Sequence, residues 1–250
     1  MTTVAGREVV PFRPKLLQSS EHDLCPGCGH PPAWRVVLEA LDELGLSNRS
    51  LLIAGHGCYT QMMRLSDIDS LQCLHGRAPA VATGVKRMLP DTAVLTLQGD
   101  GDMVSEGLAE VLHAAARGER ITSLLLNNGV FGDTGGHMTA TTVVGQRTKT
   151  SLEGRDAEVH GYPIDVSRLL AQLDGSAYVA RGAVNTAGMI ARTKRMVRRA
   201  LELQMEGAGF TFVEVLTMCP TGWFVQTPEG PDYLEEAMMA TYGIGELKAP

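Results

Sequence analysis

No stretch of this 250-residue chain reaches the roughly 18–20 apolar residues that a bilayer-spanning helix needs. The N-terminus lacks the apolar core of a secretory signal, so a cytoplasmic protein is expected. Basic excess is missing too. The 22 Lys and Arg face 28 Asp and Glu, the net charge is −6, and no basic run offsets it. Nucleic acid is therefore not an expected partner. A Gly-x-x-x-x-Gly-Lys sequence is absent, which ranks a nucleotide-binding reading last. Neither an internal repeat nor a clear linker divides the chain. Cysteine is scarce. Five residues, an odd number without a secretory signal, read as thiols, ligands or redox groups rather than as a disulfide framework. No closely spaced cysteine run supplies further centres. What remains is an ordinary globular composition, 44% hydrophobic and 20% charged, able to bury a full core.

Residues 1–20 look like an arm, interrupted by Pro11 and Pro14. Residues 21–250 are expected to form a single domain. Val36, Val37, Leu38, Leu41 and Leu44 recur at helical spacing after Pro31-Pro32, and Gly45 is a plausible stop. Short apolar runs at 51–54, 93–97 and 121–126 read as buried strands, with helices at 78–89 and from about Ser105 to Arg117 between them. Strand, helix, strand with short loops predicts an α/β fold: a mostly parallel sheet with helices on both faces. Its site is expected beyond the carboxyl ends of the strands, where the loops after Ala54, Leu97 and Leu126 fall. Residues 133–163 read as a long loop, of the kind that is functional or disordered. A short strand at 178–180, a long helix from Thr186 to Glu206 with a basic outer face, and a last core strand at 210–216 complete the pattern. That basic face reads as solvated, with an acidic redox partner as the minor alternative.

Two of these loops carry diphosphate chemistry. A buried diphosphate calls for a hard cation and for backbone amides at a helix start. Gly99-Asp100-Gly101-Asp102 offers close backbone approach and the Asp100 carboxylate for Mg2+, while Asp102 is placed to cap the helix or touch the ligand. Asn128 follows 28 residues after Asp100. One strand-helix-strand unit returns it to the neighbouring loop, where its side-chain oxygen and the Val130 carbonyl can join the same ion. Either motif alone is more simply a turn; together, each after a buried strand, they favour the cofactor.

Cys25 and Cys28 lie in Cys25-Pro26-Gly27-Cys28-Gly29-His30, Cys58 in Gly55-His56-Gly57-Cys58, and Cys219 in Cys219-Pro220-Thr221. Four thiolates suit an iron–sulfur cluster or a tetrahedral zinc, and sequence does not separate the two. Cys73 is left over as a small buried hydrophobe. Trp34 and Trp223 read as packing, and His30 stands undecided between ligand contact and turn.

The Gly99–Asp102 and Asn127-Asn128 pair resembles the thiamine diphosphate motif, Gly-Asp-Gly followed after about thirty residues by Asn-Asn. With Cys25–His30, His75-Gly76-Arg77-Ala78, Asn127–Gly136, Gly161-Tyr162-Pro163 and Cys219-Pro220-Thr221, most of the chain resembles the beta subunit of the 2-oxoacid:ferredoxin oxidoreductases. The resemblance implies a thiamine diphosphate-binding fold and a 4Fe–4S cluster on Cys25, Cys28, Cys58 and Cys219. Mg2+ is implied on Asp100, Asn128 and Val130. Cofactor contacts are implied at His56, Gly57, Cys58, Tyr59, His75, Gly101, Asp102, Gly132, Asp133 and Thr134. It also implies oxidative decarboxylation of a 2-oxo acid to acyl-CoA and CO2, with electrons leaving through the cluster to ferredoxin.

No Glu in the matched segments fits the carboxylate that activates the cofactor, so no catalytic residue is assigned in this chain. An alpha subunit is expected to supply it, with gamma or delta subunits as further partners, and the chain alone is expected to be inactive. Tyr59, His56, Asp133 and His137 depart from the family pattern. Gly135 stands where some members acting on 2-oxoglutarate carry Lys, and Thr134–Met138 looks closer to members acting on branched-chain 2-oxo acids. The rival readings are a non-oxidative thiamine-dependent decarboxylase subunit with structural zinc and a non-catalytic, cluster-carrying subunit.

Overall fold

Three strands are buried at nearly every position: Ala93–Gly99, Thr122–Asn127 and Phe210–Leu216. Strands apolar on both sides need cover on both faces, and parallel pairing with crossover helices provides it. The computed structural model describes residues 13–250 and, before them, only the backbone of an antiparallel pair, Thr3–Val4 with Arg7–Glu8. Part of the expected arm, Pro11 included, therefore lies outside the described residues. Its last part packs on the body: Leu16 is buried and the Gln18 amide donates to the Leu65 carbonyl at 2.8 Å.

A seven-stranded sheet runs in the order Gly245–Lys248, Ser176–Ala183, Phe210–Leu216, Thr122–Asn127, Ala93–Gly99, Ser50–Ala54, Asp69–Gln72. All neighbours are parallel except the Gly245–Lys248 edge. Helices His30–Glu43 and Ala187–Glu206 pack in one apolar cluster against the sheet. Helices Ala78–Met88, Leu108–Ala116 and Val166–Ala171 belong to the other. The expected α/β architecture is thus present.

Both edge strands and the Val166–Ala171 helix went unanticipated. Asp69–Gln72 is exposed at every position and so carries no apolar signature, while Gly245–Lys248 reads as a polar tail. Phe210–Leu216 is the last core strand, as expected, and the edge strand Gly245–Lys248 follows it. The helix expected from Ser105 begins at Leu108, after a wide π-helical turn over Gly101–Glu106. Close approach at Gly107 accounts for the delay: a Cβ there would sit 2.3 Å from the Gly76 Cα. The basic helix face is solvated and paired, with Lys194 2.8 Å from Glu43 and 3.2 Å from Glu39.

Strand order fixes where a ligand can enter. The chain leaves Ser50–Ala54 toward the Asp69–Gln72 edge but leaves Ala93–Gly99 toward the opposite side, to Thr122–Asn127. Between those two strands the connections diverge and open a crevice at the carboxyl ends.

Candidate functional site

That crevice holds a cleft with about 500 Å³ of empty space. Asp100, at its floor, is 1% exposed. Its Oδ2 accepts from Thr139 Oγ1 at 2.6 Å and Thr141 Oγ1 at 2.7 Å, and its Oδ1 from the Asn128 amide at 3.4 Å. Burial pushes its carboxyl up to about 6, against the pull of those three donors. Asn128 and Val130 line the same cleft, so the predicted metal set is brought together. The Asn128 side-chain oxygen accepts from the Val130 amide at 3.1 Å, and its carbonyl accepts from Trp223 Nε1 at 2.7 Å. Trp223 thus clamps the loop as well as packing.

The first asparagine has a different job. Asn127 Nδ2 donates to the buried Glu214 at 2.7 Å, and its Oδ1 takes the Gly129 amide at 3.0 Å. Gly129 turns at a φ of +69°, where a side chain would strain the backbone. The Gly129 carbonyl accepts from Thr142 Oγ1 at 2.6 Å and Gln146 Nε2 at 3.0 Å. Thr139, Thr141, Thr142 and Gln146 were not anticipated. Their signal was present as a threonine-rich stretch, but nothing in it says which carboxylate it faces.

Asp102 sits 3% exposed. Tyr59 donates its hydroxyl to Asp102 Oδ2 at 2.6 Å, and the Gly76 amide donates to Oδ1 at 2.6 Å. It bonds neighbouring loops rather than capping the helix. Gly55 is required beside it, because a Cβ there would lie 1.8 Å from Asp102 Oδ2. The ring of Tyr59 lies 3.3 Å from where a Gly99 Cβ would be, so the Tyr59 departure fills space between the loops. His75 Nδ1 lies 3.5 Å from Asp102, edge-on to His56 with ring centroids 5.4 Å apart. His56, Gly57 and His75 line the cleft mouth.

Gly101, Gly132, Asp133 and Thr134 line it from the other side. The place of a Gly101 side chain is taken by the Phe131 ring, 2.2 Å from where a Cβ would be. Asp133 is exposed and points at Cys58, its Oδ1 3.8 Å from the sulfur. Thr134 and His137 pair with each other at 3.0 Å.

Cys25, Cys28, Cys58 and Cys219 line one adjoining hollow with about 480 Å³ of empty space. Three separate segments meet there for a local reason. Gly29 lies so close to the Thr217-Met218 backbone that a Cβ would fall 2.4 Å from the Met218 nitrogen, and its amide donates to the Met218 carbonyl at 2.9 Å. Cys58 and Cys219 sulfurs each lie 3.6 Å from the position of a Gly132 Cβ. Burial pushes the Cys28, Cys58 and Cys219 thiols up to about 12, and their mutual charges add to it. Cys73 is elsewhere, its Sγ on the Ala54 carbonyl at 3.3 Å. Among the described residues, no three His, Cys, Asp or Glu side chains converge closely enough to hold a single metal ion. A zinc site needs its sulfurs about 2.3 Å from one centre. Four thiols around one hollow suit a polynuclear iron–sulfur group or, drawn together on binding, a zinc ion. The two hollows share His30, Cys58, Asn128 and Gly132 as a common wall.

Residues 54–215 match the family described as thiamine pyrophosphate enzyme, C-terminal TPP binding domain. The ketoisovalerate oxidoreductase subunit VorA of Methanothermobacter thermautotrophicus is 42% identical over 90% of this chain. The chain spans about half of that relative, 47% of its length. The 2-oxoglutarate synthase subunit KorB of Archaeoglobus fulgidus is 32% identical, with 85% of this chain and 75% of the relative aligned. A solved structure of 2-oxoglutarate:ferredoxin oxidoreductase from Magnetococcus marinus, with 2-oxoglutarate, coenzyme A and succinyl-CoA bound, superposes with a TM-score of 0.75 at 26% identity. That superposition covers 96% of this chain and 85% of the other.

Proposed function

From the premise that this chain belongs to the 2-oxoacid:ferredoxin oxidoreductases, as a thiamine pyrophosphate-binding subunit of the beta type, we propose that it holds both the organic cofactor and one 4Fe–4S cluster of such an enzyme. The reaction it serves is oxidative decarboxylation: a 2-oxo acid and coenzyme A give the acyl thioester, CO2 and a proton, and two electrons pass singly to ferredoxin. One observation carries the reading. The cleft floored by Asp100 and Asn128 and the hollow ringed by four cysteines share one wall, so a reacting centre and an electron acceptor are neighbours.

Thiamine diphosphate, when bound, supplies the carbon nucleophile and takes up the charge left by decarboxylation. Asp100, the Asn128 side-chain oxygen and the Val130 carbonyl hold Mg2+, an oxygen set that suits this ion. Thr139 and Thr141 keep the Asp100 carboxylate oriented. Gly101, Gly132, Asp133 and Thr134 border the ligand on one side; His56, Gly57, Tyr59, His75 and Asp102 border it on the other. Cys25, Cys28, Cys58 and Cys219 hold the cluster. Among the described residues no glutamate lines the cleft, which supports an activating carboxylate from an alpha subunit. Further gamma or delta subunits complete the assembly.

A branched-chain 2-oxo acid is the favoured substrate. Support comes from the ketoisovalerate naming of the 42%-identical relative and from a cleft lined, among the described residues, by no Lys or Arg that could pair a second carboxylate. One observation favours 2-oxoglutarate instead: Lys149 Nζ lies 3.2 Å from the position of a Gly135 Cβ, so an ammonium reaches that loop from another segment.

The test uses the complex purified anaerobically with its partner subunits. Iron with matching sulfide, a broad visible band and dye reduction dependent on a 2-oxo acid and coenzyme A are expected. Zinc, no colour and aldehyde as the product would establish the decarboxylase instead. Asp100→Ala should abolish thiamine diphosphate binding; unchanged binding would leave a cluster-carrying subunit without catalysis. In a substrate panel, ketoisovalerate above 2-oxoglutarate supports the favoured side chain. The reverse order, lost in Lys149→Ala, supports the other.

A further inference from the structure

His30 opens the His30–Glu43 helix, is 3% exposed, and has no hydrogen-bond partner at either ring nitrogen among the described residues. Buried polar atoms are almost always paired, so an orphaned imidazole points to a partner the chain itself does not supply. The backbone just before it is tied down, the Gly29 amide donating to the Met218 carbonyl at 2.9 Å. Nor does a neighbour serve it. Tyr59 meets it edge-on, with ring centroids 6.4 Å apart, and gives its hydroxyl to Asp102. His30 does line both hollows, the cleft and the cysteine ring.

Chemistry decides between the two sides. A neutral imidazole has one N–H to give. Backbone amides already donate to sulfur here: the His30 amide to Cys28 and the Gly222 amide to Cys219. A sulfur-rich, negatively charged group among four thiolates offers acceptors only, and the side chain of His30 is an unsatisfied donor on the wall of that hollow. Hydrogen bonds to cluster sulfurs raise reduction potential by stabilising the more negative, reduced form.

We propose that the His30 ring N–H donates to a sulfur of the cluster on the side facing the cleft. It thereby sets the cluster's potential high enough to accept single electrons from that cleft. His30 is a positioning residue in this role and handles no substrate atom. The inference rests on the cluster reading above.

The experiment is an EPR-monitored redox titration of the complex, with iron content and thiamine diphosphate binding measured on the same samples. His30→Leu is expected to keep iron and thiamine diphosphate binding. Its midpoint potential should fall by about 59 mV, a tenfold weaker electron uptake. His30→Gln, which retains an N–H, should stay near the parent value. If His30→Leu does not load iron, His30→Met replaces it with the same expectation. A parent-like midpoint in a loaded, donor-free variant overturns the proposal. So does a fall in His30→Gln as large as in the apolar variants, and so does loss of iron from all three. Parent complex without iron fails the underlying reading instead; parent complex with a cluster and unmoved variants fails this inference alone.

Discussion

The cleft and the cysteine hollow meet at one wall, yet they are held in opposite ways. On the cleft side each key polar group has protein partners. Asp100 takes two threonine hydroxyls and an amide, Asp102 takes Tyr59 and Gly76, and the Asn128 loop is pinned by Trp223. On the other side three thiols are pushed up to about 12 by burial, and an imidazole has no partner. A satisfied site keeps its shape through its own bonds, whereas an unsatisfied one depends on what it binds. Metal binding to such ligands is coupled to folding.

Each half can be broken without the other, and the effects should descend in size. Cys219→Ala removes one of four thiolates and should abolish iron loading. Thiamine diphosphate affinity should change less than about tenfold, the lower end of the outer-ligand range; iron analysis and fluorescence quenching read the two. Replacing Thr139 and Thr141 together by Val leaves Asp100 without its hydroxyl donors. Mg2+-dependent thiamine diphosphate binding should weaken about 10–100-fold with iron content unchanged. Stripping iron with an anaerobic chelator should lower the melting temperature more than stripping Mg2+, since the cysteine side has fewer internal partners; equal losses would erase the contrast. Tyr59→Phe leaves Asp102 one donor short and should cost about 1 kcal/mol in denaturant unfolding. Cys73→Ser, remote from the hollow, should leave iron content as it was.

Much of the sheet was legible because its central strands are continuous apolar runs, such as Ala93–Leu97 and Phe210–Leu216. The edges were not, because an exposed strand has no buried face to announce it. Asp69–Gln72 is paired on one side and solvated on the rest. Glycine spacing located the diphosphate loop, and all the anticipated cleft residues line one cavity. The threonines on Asp100 stayed hidden because a hydroxyl 39 or 41 residues away leaves no spacing rule behind. Asp102 was read as a cap or a ligand contact; it lines the cleft, and in place of a cap it takes partners from the loops at Tyr59 and Gly76.

By itself the sequence determined which residue types exist for the chemistry: a carboxylate after one buried strand, an amide after the next, and four thiols on three segments. Local patterning suffices for that, since strand periodicity and glycine turns act over a few residues. Only the tertiary structure decided that the cysteine hollow abuts the cleft, that Lys149 reaches the Gly135 loop and that His30 has no partner. Those are distances between segments far apart in the chain, fixed by the strand order and by glycines where backbones touch.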